Sequence, residues 1–234
     1  MFTTRQHLMR PAGRPMTMMK PDEIYAESFR IIEAEVGAHS LSADQWQIVR
    51  RMIHASGDLE LAHSTHFYGE AVAAGIDALR RGCPIVTDVT MVAAGLNKQW
   101  LARLGVQVVC LIDDPEVRQQ AMARGETRSF CAMEKACDRV GEAIYVIGNA
   151  PTALLALCAA VRQQRVQPRL IVAMPVGFVS VVESKQQAET LDWPLITVKG
   201  RKGGSGLAAA AVNALAELAL TESAPREPMA EIGP

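Results

Sequence analysis

Toward the end of the chain, Lys199-Gly-Arg-Lys-Gly-Gly-Ser205 runs from basic residues through glycines into the alanine-rich stretch Gly206 to Val212. That is the pattern of a turn feeding a helix N-terminus. Glycines let backbone approach a ligand closely, and the free N–H groups and dipole of a helix start favour negative charge. Arg201, Lys202, Gly203, Gly204 and Ser205 together therefore make a candidate anion site. A P-loop would need a Lys followed by Ser or Thr after its second glycine, whereas Lys202 precedes Gly203 and Gly204, so phosphate is not specified.

His54, in Arg51-Met-Ile-His-Ala-Ser-Gly-Asp58, falls in the last turn of a helical pattern. The helix C-terminal dipole favours a protonated imidazole there, which suits a proton or hydrogen-bond donor; a capping histidine without chemistry satisfies the same pattern. His63 and His66, three apart, could chelate a metal, but no Cys or acidic ligand follows at a recognised spacing, and surface or core histidines are the better reading. His7 and His39 carry no signal. A Ser–His–acid triad could draw on Ser28 or Ser205 with His54 and Asp58 or Asp88, yet no Gly-x-Ser-x-Gly elbow joins a strand to a helix. Ser28 could instead bond the carbonyl of the preceding turn. Arg128 stands just before a helix whose first turn favours anions, or is simply solvated. Lys185 could pair with Glu189 one turn on.

These residues need a scaffold, and the apolar, β-branched runs supply one. Ile85 to Thr87, Val106 to Ile112, Ala143 to Ile147, Leu170 to Ala173 and Leu195 to Val198 alternate with helical segments at Asn97 to Leu104, Pro115 to Arg124, Ser129 to Val140, Thr152 to Arg165, Val181 to Thr190 and Ser205 to Leu220. Such alternation predicts a three-layer open α/β fold on a mainly parallel, five-stranded sheet. Two more helices precede the first strand. One spans Asp22 to Val36 with Ile24, Ser28, Ile31 and Ile32 on its inward face; the other opens on the capping box Ser42 to Gln45 and ends at Gly57. Ligands of open α/β sheets bind at the carboxyl ends of the strands. There the chain places Asp88 and Thr90 after the first strand, Asn149 after the third, Pro175 to Phe178 after the fourth and the basic glycine turn after the fifth. Turn chemistry alone also enriches such loops in Gly, Pro and Asp.

Composition bounds the function class. Of 234 residues, 49% are hydrophobic and 21% charged, enough for a substantial core; 24 Lys and Arg against 25 Asp and Glu leave a net charge of −1, which offers no global field for nucleic acid or an acidic membrane. The five cysteines form no Cys-x-x-Cys pair and sit mostly in apolar segments, which suits a reducing cytoplasm. No run matches a membrane span, and the first residues lack the apolar stretch of a signal peptide. A single domain is expected over residues 21–221, between loose segments at 1–20 and 222–234 that are rich in Pro and charge.

Seven motifs in order resemble one family, the precorrin-8X methylmutases of cobalamin synthesis: Ser28-Phe-Arg-Ile-Ile32, Ile53-His-Ala-Ser-Gly-Asp58, Val86-Thr-Asp-Val89, Gly148-Asn-Ala-Pro-Thr-Ala153, Pro175-Val-Gly-Phe-Val179, Glu183-Ser-Lys185 and Gly200-Arg-Lys-Gly-Gly-Ser205. They span about Ile24 to Leu218. The run from Leu59 to Tyr68, with His63 and His66, departs from that pattern. The resemblance implies a flavodoxin-like fold, a homodimer with its active site near the interface, and transfer of a methyl group from C11 to C12 of precorrin-8X or its cobalt form. It implies His54 as the catalytic histidine, and Ser28, Thr90 and Arg128 as substrate contacts; Asp88, Asn149, Lys185 and the residues 201–205 complete the expected binding set. No cofactor and no metal site is implied, because any cobalt arrives inside the substrate. A macrocycle ringed with acetate and propionate groups would explain an anion site that lacks a phosphate pattern. A non-catalytic tetrapyrrole-binding or delivery protein would use the same cleft, and a nucleotide enzyme would need the missing P-loop spacing.

Overall fold

The computed structural model describes residues 20–221, so the loose ends expected at 1–20 and 222–234 lie outside the described residues, Lys20 aside. Helices α1 (Pro21–Val36) and α2 (Ala43–Ser56) lead into a short turn of helix, α3 (Leu61–Ser64), and then into strand β1 (Thr65–Tyr68). There follow α4 (Ala71–Arg80), β2 (Ile85–Thr87), α5 (Thr90–Gly95), α6 (Lys98–Arg103), β3 (Val108–Cys110), α7 (Pro115–Arg124), α8 (Arg128–Val140), β4 (Ile144–Ile147), α9 (Pro151–Arg162), β5 (Leu170–Ala173), α10 (Val181–Glu189), β6 (Leu195–Val198) and α11 (Ser205–Thr221). The capping box forms as expected: Gln45 N–H donates to Ser42 Oγ at 3.3 Å, Ser42 N–H donates to Gln45 Oε1 at 3.0 Å, and Gly57 closes the helix with φ +71°.

The sheet runs β1-β6-β5-β4-β2-β3. Without β1, its parallel strands stand in the order second, first, third, fourth, fifth, which is the flavodoxin-like arrangement. The sixth strand corrects the expectation of five. β1 pairs antiparallel with β6, Thr65 opposite Val198 and Tyr68 opposite Leu195. It is a four-residue edge strand cut from the histidine-rich run, and half-exposed edges need no apolar alternation. At the other edge β3 keeps only the middle of the run from Val106 to Ile112.

Alternation along the central strands divides the core between two faces. Ile144, Val146, Leu170, Val172 and Ile196 turn toward the layer that contains α2, α4, α5 and α11. Tyr145, Ile147, Ile171 and Ala173 turn toward α8, α9 and α10. Helix α11 is apolar around most of its surface because α2, α4, α5 and α6 enclose it. On α1 the expected inward stripe is split: Ile32 is buried and Phe29 packs on the core, but Ile24 and Ile31 are exposed by 51% and 43%. A helix at the rim of the layer has only one narrow side to bury. Among the described residues no helix is long and apolar enough to cross a membrane.

The strand order reverses between β2 and β4, where an open sheet leaves its crevice. Asp88 fills it. Its carboxylate accepts from Gly148 N–H at 3.0 Å, Asn149 N–H at 2.9 Å and Ala150 N–H at 2.7 Å, and the residue is 1% exposed. Burial pushes the Asp88 carboxyl above the usual aspartate range, and the three N–H groups oppose that shift. The anion site at the start of α9 is thus occupied from within the chain. Gly148 allows the layers to close over it, since a Cβ there would stand 2.5 Å from Val92 Cγ2 and 2.9 Å from Ser205 Cα. We predict that Asp88→Asn, which turns an NH2 group toward buried N–H donors, lowers stability by about 3 kcal/mol. Urea unfolding checks this, and an unchanged midpoint would refute the bracing role.

Candidate active site

Helix α2 runs along α11, so its last turn reaches the N-terminal half of that helix at the carboxyl rim of the sheet. There Tyr25, His54, Gly95, Gly206, Ala210 and Asn213 line a cleft of about 270 Å³. The His54 ring is exposed and stands roughly perpendicular to Tyr25 and Phe29 of α1, with centroids at 5.0 and 5.5 Å. Neither ring nitrogen has a partner among the described residues. The two aromatics fix the imidazole by packing and leave its polar atoms to a ligand.

The opposite wall is the start of α11. Gly203 is pressed against the exit of β5, where a Cβ would meet Met174 O at 2.4 Å and Pro175 O at 2.5 Å, while Gly204 adopts φ +123° and donates to Met174 O at 2.8 Å. Only glycine fits either constraint. The N–H groups of Arg201, Lys202, Gly203, Ser205, Gly206 and Leu207 find no acceptor among the described residues, which makes this turn a cluster of unused donors. Asn213 pins the neighbouring wall: its Nδ2 donates to Gly95 O at 2.9 Å, and its Oδ1 accepts from Asn97 N–H at 2.8 Å. An Asn in a helix whose middle is apolar apart from Glu217 was the available signal for it. Tyr25 lay one turn before Ser28 and carried none; its hydroxyl is buried without a partner. Arg51, also in the cleft wall, pairs with Glu217 and stacks 5.2 Å from Trp100.

The other expected contacts are distributed unevenly. Arg201 is exposed, packs 5.7 Å from Phe178 and pairs with no carboxylate among the described residues. Lys202 is already committed, its Nζ lying 2.7 Å from Asp58 Oδ2 and 2.6 Å from Glu60 Oε2, contacts that hold its proton more firmly than usual. Ser28 Oγ donates to Ile24 O at 2.8 Å, the local bond that its helical position also allowed. Thr90 begins α5 and is exposed; the Asn149 side chain is exposed on the same rim. Ser205 is the first residue of α11 and is buried. Arg128 opens α8 beside a separate depression with Arg118 and Met122, so it shares no cavity with His54.

Asp88 and Lys185 are not open to a ligand here. Asp88 is held by the α9 loop, and Lys185 is 2% exposed with its ammonium aimed inward at backbone carbonyls rather than at Glu189 or the cleft. His63 and His66 face a pocket between α2 and β1; among the described residues no third His, Cys, Asp or Glu joins them in a metal-sized group.

Comparison with known proteins agrees with the seven motifs. The family model described as precorrin-8X methylmutase matches residues 23–218. The cobalt-precorrin-8 methylmutase of Priestia megaterium is 42% identical over 206 residues, covering 88% of this chain and 91% of the relative. The precorrin-8X methylmutase of Pseudomonas aeruginosa is 40% identical over 195 residues, covering 82% and 93%. The crystal structure of precorrin-8X methylmutase from Thermus thermophilus is 44% identical and superposes with a TM-score of 0.78 over 85% of this chain and 98% of that one. With the fold, the motif order and these likenesses in agreement, the chain belongs to the precorrin-8X methylmutase family, isomerases of cobalamin biosynthesis that catalyse the migration of a methyl group.

Proposed function

We propose that the chain moves the methyl group of precorrin-8X, or of its cobalt form, from C11 to C12 of ring C, giving hydrogenobyrinate or cobyrinate, with His54 as the donor at the reacting ring. The observation that carries this reading is the exposed, unpartnered imidazole facing a helix start whose N–H groups are also unpartnered. In the rearrangement the C11–methyl bond breaks as the C12–methyl bond forms, and no atom is gained or lost. His54 supplies a hydrogen bond or a transient proton to the ring nitrogen, stabilising charge in the shifting π-system and favouring the product tautomer. Substrate carboxylates meet the free N–H groups of Arg201 to Gly203 and Ser205 to Leu207 and the guanidinium of Arg201.

A cleft of about 270 Å³ holds only part of such a macrocycle. The elements around it carry exposed apolar side chains: Ile24 and Ile31 on α1, Met91 on α5, and Phe178 and Val179 in the loop after β5, the last two 86% and 80% exposed. A homodimer would cover such side chains and complete the cleft with a second subunit.

Replacing His54 with Ala is expected to preserve product binding and to lower turnover on the order of a hundred- to ten-thousand-fold. His54→Asn separates the two roles, since it keeps a hydrogen-bond donor without a transferable proton. Conversion of precorrin-8X to its coloured product, followed by absorbance beside a binding titration, reads both. Near-wild-type turnover by His54→Ala would remove His54 from the mechanism, and binding with no conversion by the wild-type chain would favour a pigment-delivery protein.

Arg201→Ala should weaken product affinity about five-fold, the effect of losing roughly 1 kcal/mol of exposed ion pairing. Lys202→Ala should change it much less because Asp58 and Glu60 already hold that ammonium; the reverse order in the same titration would refute this assignment. For the assembly, sedimentation at micromolar concentration is expected to give twice the chain mass, and a fully active monomer would contradict it.

A further inference from the structure

Among the described residues, Lys185 alone has its ammonium enclosed by backbone carbonyls. From α10 its Nζ donates to Val198 O at 2.7 Å, Gly200 O at 3.0 Å and Lys202 O at 2.6 Å, three alternate carbonyls of one turn. A trans peptide directs its C=O and the following N–H to opposite sides. The carbonyl of Val198 points to Lys185, and the N–H of Lys199 accordingly points away and donates to Ser64 O in the neighbouring segment at 2.8 Å. By the same geometry the carbonyls of Gly200 and Lys202 turn inward, so the N–H groups of Arg201 and Gly203 turn outward, and these have no acceptor among the described residues.

We propose that Lys185 is a positioning residue, whose buried ammonium collects three alternate carbonyls of the turn and thereby presents the N–H groups of Arg201 and Gly203 to a carboxylate of the substrate. The proposal rests on the reading of that turn as the carboxylate site. It leaves the outward side of the turn richer in donors than in acceptors: the intervening Arg201 carbonyl accepts from Gly177 N–H at 3.3 Å, and without an internal cation the other three carbonyls would be free to repel the anion that the glycines let in.

The arrangement is sensitive to pH. Burial pushes the Lys185 ammonium down to about 8, with Glu189 on the same helix opposing that shift. Of the surrounding elements, β6 contributes no titratable side chain; Arg162 on α9 is bonded to Gln187 and Thr190; Lys199, Arg201 and Lys202 are exposed, and His66 lies near Lys199 and Glu189. As pH rises through about 8 the amine keeps two N–H donors for three carbonyls, and one carbonyl is released. The sign for the fold is opposite. Because the folded value lies below that of an unfolded lysine, the unfolded chain binds more protons between about 8 and the ordinary lysine value, and this group adds stability as pH rises there. The turn loosens without the fold weakening.

The test follows backbone amide resonances of Gly200, Gly203 and Gly204, together with the affinity for hydrogenobyrinate, across pH 6.5 to 9.5 in the wild type and in Lys185→Arg and Lys185→Met. In the wild type the glycine signals should move with a midpoint near 8 while affinity falls several-fold. Lys185→Arg, which keeps its charge, should flatten both curves. Lys185→Met, which donates to none of the three carbonyls, should release the turn at every pH at least as far as the alkaline wild type does, with no midpoint near 8, raising KM for precorrin-8X with kcat within about two-fold. Static glycine signals in the wild type overturn the proposal without any variant, as does a Lys185→Met protein whose turn and KM match the wild type. If the signals move and affinity does not, the brace stands and the carboxylate reading of the turn is what falls.

Discussion

Two buried charges, each met by backbone dipoles rather than by an opposite charge, fix the carboxyl rim on which everything else depends. Asp88 gathers three N–H groups at the point where strand order reverses, and Lys185 gathers three carbonyls beneath the β6–α11 turn. An isolated buried ion is costly, so each is tolerable only because three backbone groups hydrogen-bond to it. The consequence is directional. Asp88 closes the anion site at the start of α9, and on our proposal Lys185 opens the one in the turn before α11.

On the proposed reading, that asymmetry moves the working site away from the crevice a flavodoxin-like sheet would ordinarily use and toward the layer built on α11. Helix α2 lies on α11, its last turn lifts His54 to the rim, and α1 packs Tyr25 and Phe29 against the imidazole. The glycines serve the same approach: Gly148 lets α5 and α11 close over the strand end, and Gly203 lets the turn touch the exit of β5. A donor with free nitrogens shares its cleft with Gly206, the last but one of the free N–H groups that begin at Arg201, which suits a ligand that is apolar in the middle and anionic around its edge.

Much of this was legible in the sequence. The parallel strands announced themselves because each is a β-branched run between helical periods, and the basic glycine turn because its residue types have few other uses. β1 escaped because four residues at an edge, two of them beside histidines, bury too little to impose alternation. Asp88 and Lys185 were recognisable as important but not as braces. Whether a charge faces a ligand or the backbone is decided by burial, and neither Val86-Thr-Asp-Val89 nor Glu183-Ser-Lys185 encodes what will cover it. Ser28 was placed on an inward face by period alone, whereas α1 lies at the edge of its layer and leaves Ile24 and Ile31 in solvent.

The central claim is spatial: the reacting ring lies at His54 and the acidic periphery lies on the α11 turn. A crystal structure of the chain with hydrogenobyrinate tests it most directly. The account places ring C within hydrogen-bonding reach of His54 and at least one carboxylate on the N–H groups between Arg201 and Leu207, with Asp88 and Lys185 still bound to their backbone partners and out of contact with the ligand. A macrocycle seated away from His54, or a carboxylate held by the Lys185 ammonium, would contradict it.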